Sequence, residues 1–320
     1  MNPMHFLVFG AGAIGTYIGG SLAHVGHQVT FLEQPAALAE LRKRGLYLEL
    51  PKLGRISIPP TRLSFAATLQ EALLDHSFDI AIFALKSFDT AQVLENIRPV
   101  ADQMPPLLCL SNGVDNEPAL AGVLGKGKVI AGTVSSSVGR RGVGDIILER
   151  MRGVGIARGH PLSQELVGLF TAAGLNAHLS SDPAAMKWSK LLTNLPANAS
   201  AAILDLTAAE VFAHPGLFAL EMEMLREALG VMQALNLKVV DLPGVPVRLL
   251  AHGARLPGFI ARPLMKKAVG GGRGGKRPSF HIDLYSGRGK SEVEWLNGAV
   301  VSHGGESRLR TPVDQVLTQT

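Results

Sequence analysis

The chain opens on an apolar run, Met4–Phe9, that stops at a glycine. A short run without alternation predicts a strand buried on both faces. Ala13–His24 then carries a helical pattern, and Gln28–Leu32 reads as a second strand. Pro35–Arg44 predicts a helix closed by Gly45, because glycine accepts the left-handed conformation at a helix C-terminus. Further strands are predicted at Phe78–Leu85, Leu107–Leu110 and Lys128–Val134, with a helix at Thr90–Ile97. Strands that alternate with helices require crossover connections, and hence a mostly parallel sheet. Val143–Arg158 reads as two strands around a turn at Met151–Gly153, followed by a helix at Leu162–Ala173 and an edge strand at Ala177–Leu179. After Asp182-Pro183 only the helical period persists, at Ala184–Leu204, Leu217–Asn236, Val247–Arg255, Phe259–Val269 and Glu292–Ser302. The predicted fold is therefore α/β. A Rossmann-like domain with a mostly parallel sheet spans residues 1–181, and an all-α domain spans residues 182–320.

Composition narrows the function. Apolar residues make up 47% of the 320, enough for a sizeable core, so global disorder is excluded. Aromatic content of 5% argues against modules that stack nucleic-acid bases. The formal charge of +5 is a mild excess that suits an anionic small molecule. One cysteine, Cys109, excludes an intrachain disulfide and points to a reducing compartment. No charged residue precedes Glu33, yet glycines, histidines and Gln28 interrupt the stretch, and Met1–His5 lacks Lys or Arg. The expectation is a buried soluble segment rather than a membrane span or a secretory signal, in a cytoplasmic protein. The ten histidines show no metal-ligand spacing, no Gly-x-Ser-x-Gly elbow occurs, and no basic helix suited to DNA is present, so no metal, nucleic-acid or membrane partner is expected. Gly270–Arg277 reads either as a flexible surface loop or as a basic lid over an anionic ligand.

Gly10-Ala11-Gly12-Ala13-Ile14-Gly15 follows the first strand and opens the first helix. The first glycine permits the tight turn, the second lets backbone approach a pyrophosphate, and the third lets helix and strand pack closely. The helix N-terminus offers N–H groups and the positive end of its dipole to phosphates. Glu33 ends the second strand about 20 residues on, where an acid can bind both hydroxyls of an adenosine ribose, as in NAD. A 2′-phosphate would want a nearby cation. The next residue is Gln34, and Arg42, Lys43 and Arg44 lie further along, as a solvated helix face. The residues leave the choice between NAD and NADP open. Lys86 and Asn112 each follow a predicted strand, at the carboxyl ends where such sheets bind ligands.

In Met186–Asn198, the residues Lys190, Asn194 and Asn198 are spaced to share one face of a helix. One cation and two amides on an otherwise apolar helix must be satisfied by another domain or by a ligand. Apolar walls would lower the pKa of Lys190 toward useful acid chemistry. Lys187 is expected to be an exposed neighbour, and Pro196 to kink the helix so that Asn198 points inward. Ser279, Asp283 and Glu292 complete the polar candidates. Asp283 is expected to be structural, and Glu292 sits where a helix N-terminus favours an acid.

As a set, these residues resemble the ketopantoate reductase family. The resemblance rests on Gly10–Gly15, Ala84-Leu85-Lys86, Ser111-Asn112-Gly113, Lys190 with Asn194 and Asn198, Ser279 with Asp283, and Ser291–Gly298. It implies a Rossmann domain joined to a dehydrogenase-type helical domain, and NADPH-dependent reduction of 2-dehydropantoate to pantoate, a step toward pantothenate. It also implies that Lys190 is the proton donor and that Asn194, Asn198 and Ser279 contact substrate. Asn112 would bridge cofactor and substrate, Lys86 would contact cofactor, and Glu292 would lie near the reaction centre and the cofactor. Val138 falls where a backbone cofactor contact is expected, offset by two inserted residues. The chain departs from the family at Gln34, where an arginine for the 2′-phosphate is frequent, and at Ala199-Ser200-Ala201. One extra residue also separates Asp283 from Glu292. The implied cofactor is NADP, with NAD admitted by Glu33 and Gln34, and the implied partner a 2-keto acid, with a second copy of the chain as a further candidate. The alternatives are a related dehydrogenase acting on a different 2-keto or 2-hydroxy acid, and a dinucleotide sensor without turnover.

Overall fold

The structure is a computed structural model that describes residues 3–265, 277–285 and 289–320. The chain divides into two compact units: Met1–Ser111 with Asn116–Pro183, and Asn112–Asp115 with Ala184–Thr320.

The first unit runs β1 (His5–Phe9), α1 (Ala13–His24), β2 (Gln28–Leu32), α2 (Pro35–Arg44), β3 (Leu46–Leu50), β4 (Gly54–Ile58), β5 (Ser64–Ala66), α3 (Leu69–Asp75) and β6 (Ile80–Phe83). It continues through α4 (Thr90–Ile97), β7 (Leu107–Cys109), α5 (Asn116–Leu124), β8 (Val129–Val134), β9 (Ser137–Gly142), β10 (Asp145–Arg150), β11 (Val154–Ala157), α6 (Ser163–Ala172) and β12 (Ala177–Ser180). The main sheet has the order β12-β11-β8-β7-β6-β1-β2-β5, parallel throughout except where β11 meets β8. Alternate residues of its central strands enter two separate cores. Phe6, Val8, Ile80, Ile82 and Leu108 pack with α1, whereas Leu7, Phe9, Ala81, Phe83, Leu107 and Cys109 pack with Leu94 and Ile97 of α4. A strand buried on both faces needs no polar alternation, which is why these segments read as continuous apolar runs. The order reverses at β1, whose neighbours are β2 on one side and β6 on the other, and such a switch point opens a crevice at the carboxyl ends of the strands.

The segment Val143–Arg158 does hold two strands, but they do not pair with each other. β10 turns back on β9 through Val143-Gly144, with Gly144 at φ +62°, and joins a second, four-stranded sheet of order β4-β3-β10-β9. β11 instead enters the main sheet between β8 and β12. The local two-residue turn wins the pairing. β9, with the sequence Ser-Val-Gly-Arg-Arg-Gly, carries no apolar alternation by which it could be seen in advance.

The second unit is helical: α7 (Pro183–Asn194), α8 (Ala199–Ile203), α9 (Ala208–Ala213), α10 (Pro215–Ala234), α11 (Val247–Arg255), α12 (Gly258–Met265), α13 (Ser279–Asp283), α14 (Val293–Glu306) and α15 (Pro312–Gln319). The expected single helix over Ala184–Leu204 is two helices. Pro196 has no N–H to continue the ladder, and Ala197 adopts a left-handed φ of +52° before α8 begins. Residues 266–269 of the expected Phe259–Val269 helix, and all but Arg277 of Gly270–Arg277, lie outside the described residues. Among the described residues no helix is long and apolar enough to cross a membrane.

Candidate active site

In the first unit, the glycine turn is built from β1 into α1. Gly10 has φ +87°, and a Cβ there would lie 2.7 Å from Leu85 Cδ2. A Cβ on Gly15 would lie 2.0 Å from the carbonyl oxygen of Gly10, so only glycine lets α1 pack against the turn. A Cβ on Gly12 would meet nothing within 4 Å, and Gly12 caps α1 with no side-chain hydrogen bond. The first turn, with Ala13, Ile14 and Gly15, contains no acid. Open space over an uncapped helix N-terminus is what a pyrophosphate requires, and the residues fit a dinucleotide. Glu33 follows β2, where its Oε2 accepts from Ala11 N at 2.7 Å and its Oε1 from Gln34 N at 2.9 Å. Lys86 follows β6, half-buried, and opens a short 3₁₀ turn. Val138 lies in β9, an edge strand of the smaller sheet, opposite Leu148.

In the second unit, hydrogen bonds link four of the expected residues. Asn194 Nδ2 donates to Asn112 Oδ1 at 3.1 Å. Asn198 Nδ2 donates to the Asn194 carbonyl oxygen at 3.1 Å and to Ser279 Oγ at 3.2 Å. Asn198 Oδ1 accepts from Phe280 N at 3.0 Å. Asn198 is 3% exposed and both of its N–H groups are used within the protein. It is a staple between the end of α7 and the start of α13, rather than the third member of a helical stripe. Lys190 stands one turn before Asn194 on α7 and is half-buried. Lys187, expected to be exposed, is 4% exposed, because α7 is enclosed by protein along its whole middle, from Ala185 to Ser189. Glu292 is 1% exposed at the N-cap of α14. Among the described residues no group of three or more His, Cys, Asp or Glu is arranged to hold a metal ion.

Residues that the sequence did not single out hold this cluster. His303 of α14 pairs through Nε2 with Asp115 Oδ1 at 2.8 Å and packs edge-on against Trp188 of α7, which fastens the segment bearing Asn112. Asp205 accepts from His281 Nε2 at 2.7 Å and pairs with Arg277 Nη1 at 3.0 Å, so it grips both flanks of Ser279. The hydrogen bond from His281, with the Arg277 charge, holds the Asp205 carboxyl below the usual carboxylate range. Glu221 of α10, 1% exposed, accepts from Ala197 N at 2.7 Å and from Ser200 Oγ, and so fixes the corner between α7 and α8.

Beneath this corner, Glu227 accepts from Val313 N and Asp314 N, each at 2.9 Å. Asp314 is fully buried and receives Asn297 Nδ2 at 2.8 Å. Burial pushes its pKa up to about 9, with the carboxylates of Glu227 and Glu221 adding to the shift and the Asn297 amide opposing it. The folded state therefore holds a proton that the unfolded chain releases near pH 4. This contribution to stability is complete below that pH and lost as pH rises through about 9. In that window the unfolding free energy is expected to fall by about 1.4 kcal/mol per pH unit from this group. Asp314→Asn, which stays neutral, is expected to remove that slope in denaturant titrations run from pH 5 to pH 8. An unchanged slope would mean that Asp314 is ionised in the fold.

Comparison with known proteins bears on both units. The Ketopantoate reductase PanE/ApbA family matches over residues 6–159, and its C-terminal part over residues 182–320. The "Uncharacterized oxidoreductase YkpB" of Bacillus subtilis is 35% identical over 129 residues, 40% of each chain. A 2-dehydropantoate 2-reductase of Streptococcus pyogenes is 23% identical over 317 residues, covering 98% of this chain and 95% of that one. Among solved structures, a PanE/ApbA family ketopantoate reductase from Ralstonia eutropha superposes with a TM-score of 0.82 at 25% identity, over 99% of this chain and 96% of that one. D-mandelate dehydrogenase, solved with NADH and anilino(oxo)acetate, shares the fold with a TM-score of 0.78 at 19% identity, over 99% and 96%. With both parts of the family matched in order along the chain, and with the glycine turn and the Asn112–Asn194–Asn198–Ser279 network present, this chain belongs to the ketopantoate reductase PanE/ApbA family of oxidoreductases.

Proposed function

We propose that the chain reduces 2-dehydropantoate to pantoate, in the cytoplasm, as a step toward pantothenate. The observation that carries this reading is Lys190 standing one helical turn from an Asn194 whose amide is hydrogen-bonded to Asn112. The glycine turn and the names of the full-length relatives support it. A reduced nicotinamide dinucleotide held by Gly10–Gly15 supplies the hydride when bound. Lys190 Nζ donates a hydrogen bond to the ketone oxygen, polarises the carbonyl, and gives its proton to the alkoxide as charge develops there. Asn194 and Asn112 orient the substrate through amide groups whose positions are fixed by their mutual hydrogen bond. Ser279, held by Asn198, offers a hydroxyl to the substrate's carboxylate or hydroxyl. Glu292, buried at the head of α14, orients the substrate hydroxyl or the lysine. Lys86 contacts the dinucleotide, and Val138 does so through its backbone.

A second substrate has a specific observation behind it. Ser200, in the stretch Ala199-Ser200-Ala201 that departs from the family pattern next to Asn198, is turned inward to Glu221, and Ala199 and Ala201 on either side of it are buried. A departure so close to Asn198 favours a different 2-keto acid as the second reading. The test follows the loss of reduced-nicotinamide absorbance with 2-dehydropantoate and, in parallel, with an aryl 2-keto acid such as phenylglyoxylate. Turnover is expected to be fastest with 2-dehydropantoate. Faster turnover of the aryl acid would transfer the assignment to it, and consumption with neither would leave a dinucleotide-binding protein without reductase activity.

A further inference from the structure

We infer that Glu33 makes the chain select the dinucleotide with a free 2′-hydroxyl, NADH, over its 2′-phosphorylated counterpart. The inference rests on the reading of the glycine turn as a dinucleotide site. β1 and β2 are parallel neighbours, so the turn after β1 and the residue after β2 emerge side by side at the same edge of the sheet. There the Glu33 carboxylate is not a free surface charge. One oxygen accepts from Ala11 N at 2.7 Å, inside the glycine turn, and the other from Gln34 N at 2.9 Å. Swinging the side chain away would leave the N–H of Ala11, which is 1% exposed, without its acceptor. The carboxylate is thus fixed in place, and its remaining lone pairs are acceptors for two ribose hydroxyls.

A 2′-phosphate at the same position would face a fixed like charge, and among the described residues of the adjoining elements the basic side chains are placed or engaged elsewhere. The first turn of α2 is Pro35-Ala36-Ala37, and its basic residues, Arg42, Lys43 and Arg44, fall in the last turn. At 1.5 Å per residue that turn begins about 10 Å further along the helix. Arg44 is moreover engaged by the Val143 carbonyl oxygen and by Glu40. Arg62 is tied to the Ala23 carbonyl oxygen at 2.7 Å. Lys86 follows β6, on the other side of β1 from Glu33. Charge and geometry at the end of β2 therefore both favour the diol.

The test is a titration of the full chain with NADH and with NADPH, without substrate, read by nicotinamide fluorescence or by calorimetry. NADH is expected to bind roughly 100-fold more tightly, the discrimination that a fixed like charge produces. Glu33→Gln keeps an acceptor for Ala11 N and removes the charge, and should bring the two Kd values to within roughly tenfold of each other. Gln34→Arg leaves Glu33 untouched and should strengthen NADPH binding alone. Equal or tighter binding of NADPH by the unaltered chain, or a ratio that Glu33→Gln leaves unchanged, would overturn the inference while leaving the dinucleotide site intact. Binding of neither dinucleotide would overturn the site and the inference together.

Discussion

Replacing Lys190 with alanine is expected to lower kcat by roughly 100- to 10,000-fold, the range that general-acid assistance contributes. The dinucleotide Kd should be unchanged. The separation follows from the chain's organisation. Lys190 belongs to α7 in the helical unit, whereas Gly10, Gly12, Gly15 and Glu33 belong to the sheet unit and hold their geometry without it. α7 is enclosed by other side chains, so the alanine helix should persist, with alanine favoring helix rather than opposing it. Lys190→Arg keeps the charge, but its guanidinium does not give up a proton at neutral pH, and it should also fail to restore turnover. If kcat falls by less than threefold in the alanine variant, another group donates the proton and the proposed role of Lys190 is wrong.

The second large effect is structural. Glu221→Ala removes one buried carboxylate that serves two donors, Ala197 N and Ser200 Oγ, at a corner where the backbone already takes a left-handed turn. Each orphaned buried group costs about 1–3 kcal/mol, so a loss of roughly 2–6 kcal/mol in unfolding free energy is expected by denaturant titration. The damage should also reach the ligand. Asn198 lies between those two donors in the chain, and it holds Ser279, so KM for the keto acid should rise more than kcat falls. Glu221→Gln retains one acceptor and should recover part of both losses. A Glu221→Ala protein within 0.5 kcal/mol of the parent, with unaltered KM, would show that the corner holds itself.

Some of this was open to inspection in the residues alone, and the boundary is instructive. The glycine turn is legible because its demands are local: a left-handed Gly10, a Gly15 with no room for a Cβ, and a strand and helix on either side. The helices Ala13–His24, Pro35–Arg44 and Val247–Arg255 emerge with the bounds their periodicity predicts. Lys190 and Asn194 could be paired by spacing because α7 is regular up to Asn194. The same arithmetic fails one step later at Asn198, since Pro196 ends the hydrogen-bond ladder that the spacing assumes. Glu221 did leave a trace. It shares the buried face of α10 with Phe218, Met222 and Leu225, and an acid in an apolar phase signals a buried partner. Nothing local reveals which partner.

The sequence by itself determined what depends on near neighbours: the parallel-sheet half and the helical half, the glycine turn at the head of α1, and the cation one turn before an amide. Only the tertiary structure decided what depends on chain segments far apart. It sent β10 and β11 to different sheets, made Asn198 a staple between α7 and α13, enclosed Lys187, and set Asp205, Glu221 and His303 to hold the candidate site residues. The physical reason is the range of the forces involved. Backbone sterics and helical periodicity act over a few residues and can be read in order, whereas a buried polar group must find its hydrogen-bond partner wherever folding brings one.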